Sequence, residues 1–359
     1  MSRRAVTLGL LLVPALGLGA LGLAVVAAAP ARPGTAGIGA PAHFAIRQMI
    51  GLALGTALGA LAARVGPRRV LGAAPVIFVV ALAATFAVLV PGIGVRAAGA
   101  RRWLHLGPLS GSPAPFLLVA MALLIARRGP SPLALGLGLV AVLALVAEPD
   151  FSAAAIGLAV GFAALAGGGM PRRQLLPAAL LMLFALAIGA LRFGYVDNRI
   201  RGFLAPESDR RGKGFEVLAL ARAHAAGSTH GVGLGRGNAR RHLSSPASDY
   251  AFAVVGEELG PLGAIGVVAA WLLIGAGVVL SARSARDLAE RAAVVGCGTA
   301  LFAPAALHVA VCRGWIPIIG VTMPLLSYDP TLTVASGGSL GLIVAIAIGR
   351  RDNDPGGGA

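Results

Sequence analysis

Charge is what this chain has least of. Only 14 of its 359 residues are Asp or Glu and 12% carry any charge, about half the share of a soluble domain. Hydrophobic residues make up 57% and the mean hydropathy is +0.85, which excludes an ordinary water-soluble fold and leaves an integral membrane protein. Cysteine is nearly missing: Cys297 and Cys312, the only two, sit in or at the end of one apolar run and read as small apolar residues. No zinc spacing exists, and the six histidines show no metal-ligand pattern; His308 reads as a packed or hydrogen-bonded core residue. A Walker A stretch is also lacking, so the chain has no engine for ATP-driven transport.

What is present is apolar runs close to the length of a membrane-spanning helix, roughly 17 to 25 residues. They cover Ala5 to Ala29, Gln48 to Ala63, Val70 to Val90, Pro113 to Ala126, Leu133 to Ala147, Phe151 to Ala166, Leu175 to Leu191, Leu259 to Leu280, Ala292 to Val311 and Thr333 to Ile348. The expected fold is an all-α polytopic membrane protein of about ten transmembrane helices, one domain over residues 1–349 with a long extracytoplasmic loop at 193–250 and a short cytoplasmic tail at 350–359. The fifth and sixth runs are separated only by Glu148-Pro149-Asp150 and read as a broken or re-entrant pair. The first run follows Arg3 and Arg4 and ends on Ala27-Ala28-Ala29, like a secretory signal, but exceeds the 7–15 apolar residues of such peptides, so a retained helix is expected.

Short arginine-bearing turns set the orientation. Arg3, Arg4, Arg64, Arg68, Arg69, Arg127, Arg128, Arg172, Arg173, Arg283, Arg286, Arg291, Arg350 and Arg351 fall on one side of a ten-span layout, which the positive-inside rule makes the cytoplasm, with both termini there. Much of the net charge of +16 is accounted for by these residues, and no recognition-helix pattern or basic tail points to nucleic acid. Other basic residues sit against this bias. Arg96, Arg101 and Arg102 lie in the outer segment between runs three and four, and Arg199, Arg201, Arg210, Arg211, Lys213, Arg222, Arg236, Arg240 and Arg241 lie in the long outer loop. They point either to an anionic ligand, phosphate being the natural partner of arginine, or to lipid headgroups.

The scarce acids gather in Ser248-Asp249-Tyr250-Ala251-Phe252-Ala253-Val254-Val255-Gly256-Glu257-Glu258-Leu259-Gly260, at the mouth of an apolar run. Acids near hydrocarbon are costly and mark functional sites; the plainer reading is a helix start, with Ser248 or Asp249 as cap and the glutamates in the first turn. The glycine pattern Gly231-Val232-Gly233-Leu234-Gly235-Arg236-Gly237 has no strand before it or crossover helix after it, so it reads as a flexible, close-approaching turn and not a dinucleotide loop.

Taken in order, five stretches resemble one family. Ala100-Arg101-Arg102-Trp103-Leu104-His105-Leu106-Gly107-Pro108 is similar to its GARRWI-x-LGP, Glu148-Pro149-Asp150-Phe151 to its QPDLG, and Gly231–Gly235 to its GxGLG. Pro246–Gly260 is similar to PExHTDFIFAxxGEELG and Met323-Pro324-Leu325-Leu326-Ser327-Tyr328 to LPFISY. These are marks of the SEDS family (shape, elongation, division and sporulation; FtsW/RodA/SpoVE-like), and the resemblance runs from about Arg47 to Ile348. It implies a roughly ten-helix fold in the bacterial cytoplasmic membrane and a peptidoglycan glycosyltransferase that polymerises lipid II at the outer face, working with a class B penicillin-binding protein in division or cell-shape maintenance. Carried over residue by residue, the family's essential aspartate falls on Asp249, its arginines and tryptophan on Arg101, Arg102 and Trp103, and its glutamates on Glu257 and Glu258; Ser327 and Arg240 join them as candidate substrate contacts. The chain departs from the family where QPSE and a following lysine become Ser112-Pro113-Ala114-Pro115 and Leu118, where SYGGSS becomes Ser327-Tyr328-Asp329-Pro330-Thr331, and where the residues before Asp249 are Ala247 and Ser248.

The chemistry so implied needs one base. Attack of a sugar hydroxyl on an anomeric carbon expels a polyprenyl pyrophosphate, which requires charge neutralisation but no proton, unlike the leaving group of a glycosidase. Asp249 as base, with Arg101, Arg102 and Arg240 or a divalent cation (magnesium or manganese) as clamp and Trp103 at the interface, meets that minimum. No cofactor is identified from the residues themselves. The competing readings are a non-catalytic scaffold for a partner synthase and a flippase for lipid-linked precursors.

Overall fold

A computed structural model describes residues 2–28, 41–97, 100–106, 109–192, 195–209 and 212–349. Ala29, Gly107-Pro108, Phe193, Arg210, Arg211, Arg350, Arg351 and the 352–359 tail, like the side chain of Arg96, lie outside the described residues.

In chain order the helices α1 (Arg3–Ala27), α2 (Pro41–Val65) and α3 (Pro67–Leu89) precede three short strands, β1 (Gly94–Ala97), β2 (Ala100–Leu106) and β3 (Leu109–Gly111). Next come α4 (Ala114–Arg128), α5 (Pro132–Ala147), α6 (Phe151–Gly167) and α7 (Arg172–Arg192). The long loop contains α8 (Tyr195–Leu204), α9 (Lys213–Ala226) and α10 (Ala239–His242); the short α11 (Ala251–Glu258) follows it, after which α12 (Gly260–Ser284), α13 (Leu288–Cys312) and α14 (Pro330–Ala347) complete the bundle. The ten apolar runs all fall on helices, α1–α7 and α12–α14. Six of these are long and apolar enough to cross a membrane, and α5 and α6 are shorter apolar helices. The small antiparallel sheet, ordered β1-β2-β3, is the part of the fold that the all-α expectation did not contain; it carries Arg101, Arg102 and Trp103 on β2.

Caps explain where several helices begin. Asp150 accepts from Ala153 N at 3.0 Å to open α6, so Glu148-Pro149-Asp150 makes a tight turn between two packed helices. Asp329 accepts from Leu332 N at 3.0 Å with Pro330 in the first turn. The departure from SYGGSS is therefore a cap followed by proline, which starts a helix as well as a glycine turn could.

Helix α13 packs on α4, α6, α12 and α14. The α2–α14 contact is closer still, because Gly51, Gly55 and Gly59 repeat every fourth residue, Gly51 meeting Pro330 and Gly55 and Gly59 meeting Gly337 and Gly341. A Cβ on Gly337 would stand 2.1 Å from the Gly55 carbonyl oxygen, and one on Gly341 2.0 Å from that of Gly59. Small residues at this spacing let membrane helices approach backbone to backbone.

The two ends of the bundle differ. Arg3, Arg4, Ser284, Arg286 and Gly349 line one cleft, so the start of α1, the α12–α13 turn and the end of α14 meet there. At the other end Ser112 N donates to Thr331 Oγ1 at 3.4 Å, Ser152 Oγ to Ile319 O at 2.7 Å, Arg199 Nη1 to Ile318 O at 2.6 Å and Tyr328 N to Ala247 O at 2.8 Å. These bonds gather the β2–β3 segment, the α5–α6 turn, the long loop and residues 313–329.

Candidate functional site

At that second end the gathered segments enclose a cavity of about 540 Å³. Its polar lining includes Arg102, Asp150, Arg199, Lys213, Glu216, Ser248, Asp249 and Asp329, and Trp103, Pro115 and Leu118 line it as well. A larger groove of about 1030 Å³ between α12 and α13, with the orientation-setting Arg283, Arg286 and Arg291, contains none of the candidate catalytic or substrate-binding residues.

Asp249 is held by its backbone. Its N–H donates to Ser245 O at 3.0 Å, the preceding Ser248 carbonyl accepts from Ser327 Oγ at 2.6 Å, and Phe252 N donates to His308 Nε2 at 3.2 Å. The other His308 nitrogen meets Val321 O at 2.7 Å, so this histidine is a fully bonded core residue as expected. Asp249 does not cap α11, whose cap position is Tyr250 with no side-chain bond, and the plainer reading of this residue is excluded. Its carboxylate instead faces the cavity. Burial, the largest influence, pushes its pKa up to about 6; Glu216 and Asp329 push the same way, and Lys213 and Arg199 oppose.

Only part of the arginine set reaches this carboxylate. Arg199 does, from α8: Asp249 Oδ2 and Arg199 Nη2 lie 3.7 Å and 4.0 Å from the point a Cβ on Gly320 would occupy. Arg102 lines the cavity and donates to the Pro149 and Glu148 carbonyls. Arg101 turns away, toward Leu89 O at 3.4 Å. Arg240 is also elsewhere: it is buried, donates to Glu258 through Nε and Nη2, and reaches Val25 O at 2.8 Å through Nη1.

Both glutamates join Arg240 in that second cluster. They end α11 instead of starting a helix, because Gly260, at φ +67°, breaks α11 from α12 and leaves them facing a loop full of amide donors. Glu257 accepts from Asn238 N at 2.9 Å and Ala239 N at 2.8 Å, and Glu258 from Gly235 N at 3.0 Å and Gly237 N at 3.3 Å. These bonds tie the glycine turn to the end of α11. Gly231, at φ +77°, has the Glu258 carbonyl 2.4 Å from where its Cβ would be, so the close approach expected of it is real. Ser327, 1% exposed, bonds Ser248 O and Met323 N and so fixes the Asp249 turn without lining the cavity.

Glu148 was passed over as part of a turn. It is fully buried, and neither carboxylate oxygen has a hydrogen-bond partner among the described residues. Burial first and Asp150 second push its pKa up to about 8 against the pull of Arg102. An acid neutral in the folded state but ionised once unfolded weakens the fold as pH rises from its ordinary value of about 4.5 to about 8. Glu148→Gln removes that loss, so its melting temperature is expected to match wild type near pH 4 and to exceed it increasingly toward pH 8; parallel curves would show that Glu148 is ionised in place.

For a divalent cation the fit is poor. Among the described residues no three His, Cys, Asp or Glu side chains are grouped to hold one. The Asp329 oxygens are already taken by Thr322 Oγ1, Thr331 Oγ1 and Leu332 N. No step below is routed through a metal.

Residues 9–352 match the FtsW/RodA/SpoVE cell cycle protein family. The probable peptidoglycan glycosyltransferase FtsW of Thioalkalivibrio sulfidiphilus is 32% identical over 344 residues, 91% of this chain and 86% of that one. That of Aromatoleum aromaticum is 30% identical over 322 residues, 85% and 78%. Among solved structures, one chain of a peptidoglycan synthase complex, studied for the coordination of polymerization and crosslinking, superposes with a TM-score of 0.75 at 25% identity, covering 95% of this chain and 97% of that chain. The rod shape determining protein RodA of Thermus thermophilus does so with 0.69 at 25%, covering 96% and 97%.

Proposed function

The chain belongs to the FtsW/RodA/SpoVE family of cell cycle proteins, and from that premise we propose that it is a peptidoglycan glycosyltransferase polymerising lipid II at the outer face of the cytoplasmic membrane, with Asp249 as general base. The observation carrying this reading is the Asp249 carboxylate, which faces a cavity that Arg102 and Arg199 also line. The 4-hydroxyl of the acceptor sugar gives its proton to Asp249 as its oxygen attacks the anomeric carbon of the second lipid-linked unit, and the pyrophosphate departs as an anion. Arg102 and Arg199 supply the neutralising charge, the role first assigned to Arg101, Arg102 and Arg240. A base with a pKa near 6 is ionised at neutral pH yet basic enough to share the proton in the transition state. Trp103, half exposed at the wall, offers an apolar face to the lipid-linked substrate.

The chain crosses the membrane several times; its orientation is part of the proposal. With the arginine-rich end in the cytoplasm, both termini lie there and the cavity opens outside. Both native cysteines are buried, so they give little background. Cysteine at exposed Ser228 is expected to react with an impermeant thiol reagent in whole cells and cysteine at Ser284 to stay unmodified; the reverse would put the cavity on the wrong side. The function itself is tested with purified protein and lipid II, with and without a class B penicillin-binding protein. Glycan strands are expected. A scaffold would yield none under either condition, and a flippase would move lipid II between leaflets without polymer.

A further inference from the structure

The cavity contains an ion pair that the base-and-clamp scheme leaves idle. Lys213 and Glu216 sit one turn apart at the start of α9, with Lys213 Nζ 2.6 Å from Glu216 Oε2. Glu216 is the hub: the same Oε2 accepts from Tyr250 Oη at 2.8 Å, and Oε1 accepts from Ser244 Oγ. Tyr250, 1% exposed, is the residue after Asp249, and Ser244 belongs to the turn whose next residue, Ser245, receives the Asp249 amide. One carboxylate thus joins α9 to both sides of the Asp249 turn and at the same time aims an ammonium into the cavity. Lys213 keeps 38% of its side chain exposed while Glu216 keeps 9%, so the cation remains accessible to a ligand and its partner does not. Burial works against the charge on Glu216, but the bonds from Lys213, Ser244 and Tyr250 outweigh it and hold the carboxyl below its usual pKa, so the anion that orients Lys213 is secured on every side.

We propose that Lys213 contacts the substrate pyrophosphate and that Glu216 is a positioning residue, aiming Lys213 and fixing the Asp249 turn through Tyr250 and Ser244. The proposal rests on Asp249 as the base. Lysine binds phosphate as a point charge on a mobile stem, so it needs such a guide where an arginine fork would not. Pro115 and Leu118, where the family has an acid and a base, bring no ionisable group to the cavity that could do this.

The test uses the full-length protein, with its penicillin-binding partner if polymerisation requires it, and lipid II across pH 5–9. Lys213→Met is expected to raise KM by about 10- to 100-fold, the loss of one bond to a charged group, and to move the acidic limb of the rate profile to higher pH. Glu216→Gln is expected to move that limb to lower pH, since the unneutralised ammonium then favours ionised Asp249. The double variant should return the limb toward wild type. The other charged groups acting on Asp249, namely Arg199 on α8 and Asp329 before α14, and the further charged lining residues Arg102 and Asp150, are unchanged throughout. Limbs that stay put, or that move the same way in both variants, with KM unaltered, would overturn the proposal. If Asp249→Asn itself kept wild-type activity, the base reading would fail separately, and the KM of Lys213→Met would still decide the pyrophosphate contact.

Discussion

Asp249→Asn is expected to give a folded, membrane-inserted protein whose polymerisation of lipid II is slower by roughly a hundred- to ten-thousand-fold, the usual cost of removing a general base. Asparagine preserves shape and size. Because the Asp249 side chain caps no helix and the turn is held by its backbone and by Ser327, Tyr250 and His308, stability should hardly change. Glu257→Gln is not a neutral comparison for charge loss, since Glu257 holds the α10 amides.

Arg240→Met is expected to fail in another way. Its guanidinium and the Glu258 carboxylate are both 0% exposed, and removing one member of such a pair leaves a buried charge alone at a cost of about 3–5 kcal/mol. The expected signature is a large fall in melting temperature and poor yield, with little change in KM per folded molecule. A stable Arg240→Met protein with a raised KM would restore Arg240 to the clamp. Replacing both partners, Arg240→Met with Glu258→Leu, should recover part of the loss, since no charge is then stranded; Gly235 and Gly237 would remain without acceptors and keep the recovery incomplete.

Much of this was legible in the sequence for physical reasons. Apolar runs report directly on helices in lipid, where every backbone bond must be made internally, and all ten fell on helices, with ends within a few residues except at α2, which begins seven residues before the run read at Gln48. Asp249 stood out because an acid beside hydrocarbon is costly. The glycine repeat of α2 facing Gly337 and Gly341 was equally legible as a small-residue stripe, yet only the pairing of the two helices gives it meaning. The clamp was harder to read. Arg101, Arg102 and Arg240 are alike in sequence, and whether each meets a ligand, a carbonyl or a carboxylate depends on the pleat of β2 and the break at Gly260. Lys213 and Glu216 lie far from Asp249 along the chain, and no local pattern announces that Tyr250 reaches back to them.

The most direct measurement is the pH dependence of kcat/KM for glycan synthesis from lipid II, run on wild type and Asp249→Asn side by side. Wild type should lose activity as pH falls through about 6, where Asp249 takes up its proton, and Asp249→Asn should show only a low rate without that limb. An Asp249→Asn protein that keeps both the rate and the acidic limb would place the base elsewhere in the cavity.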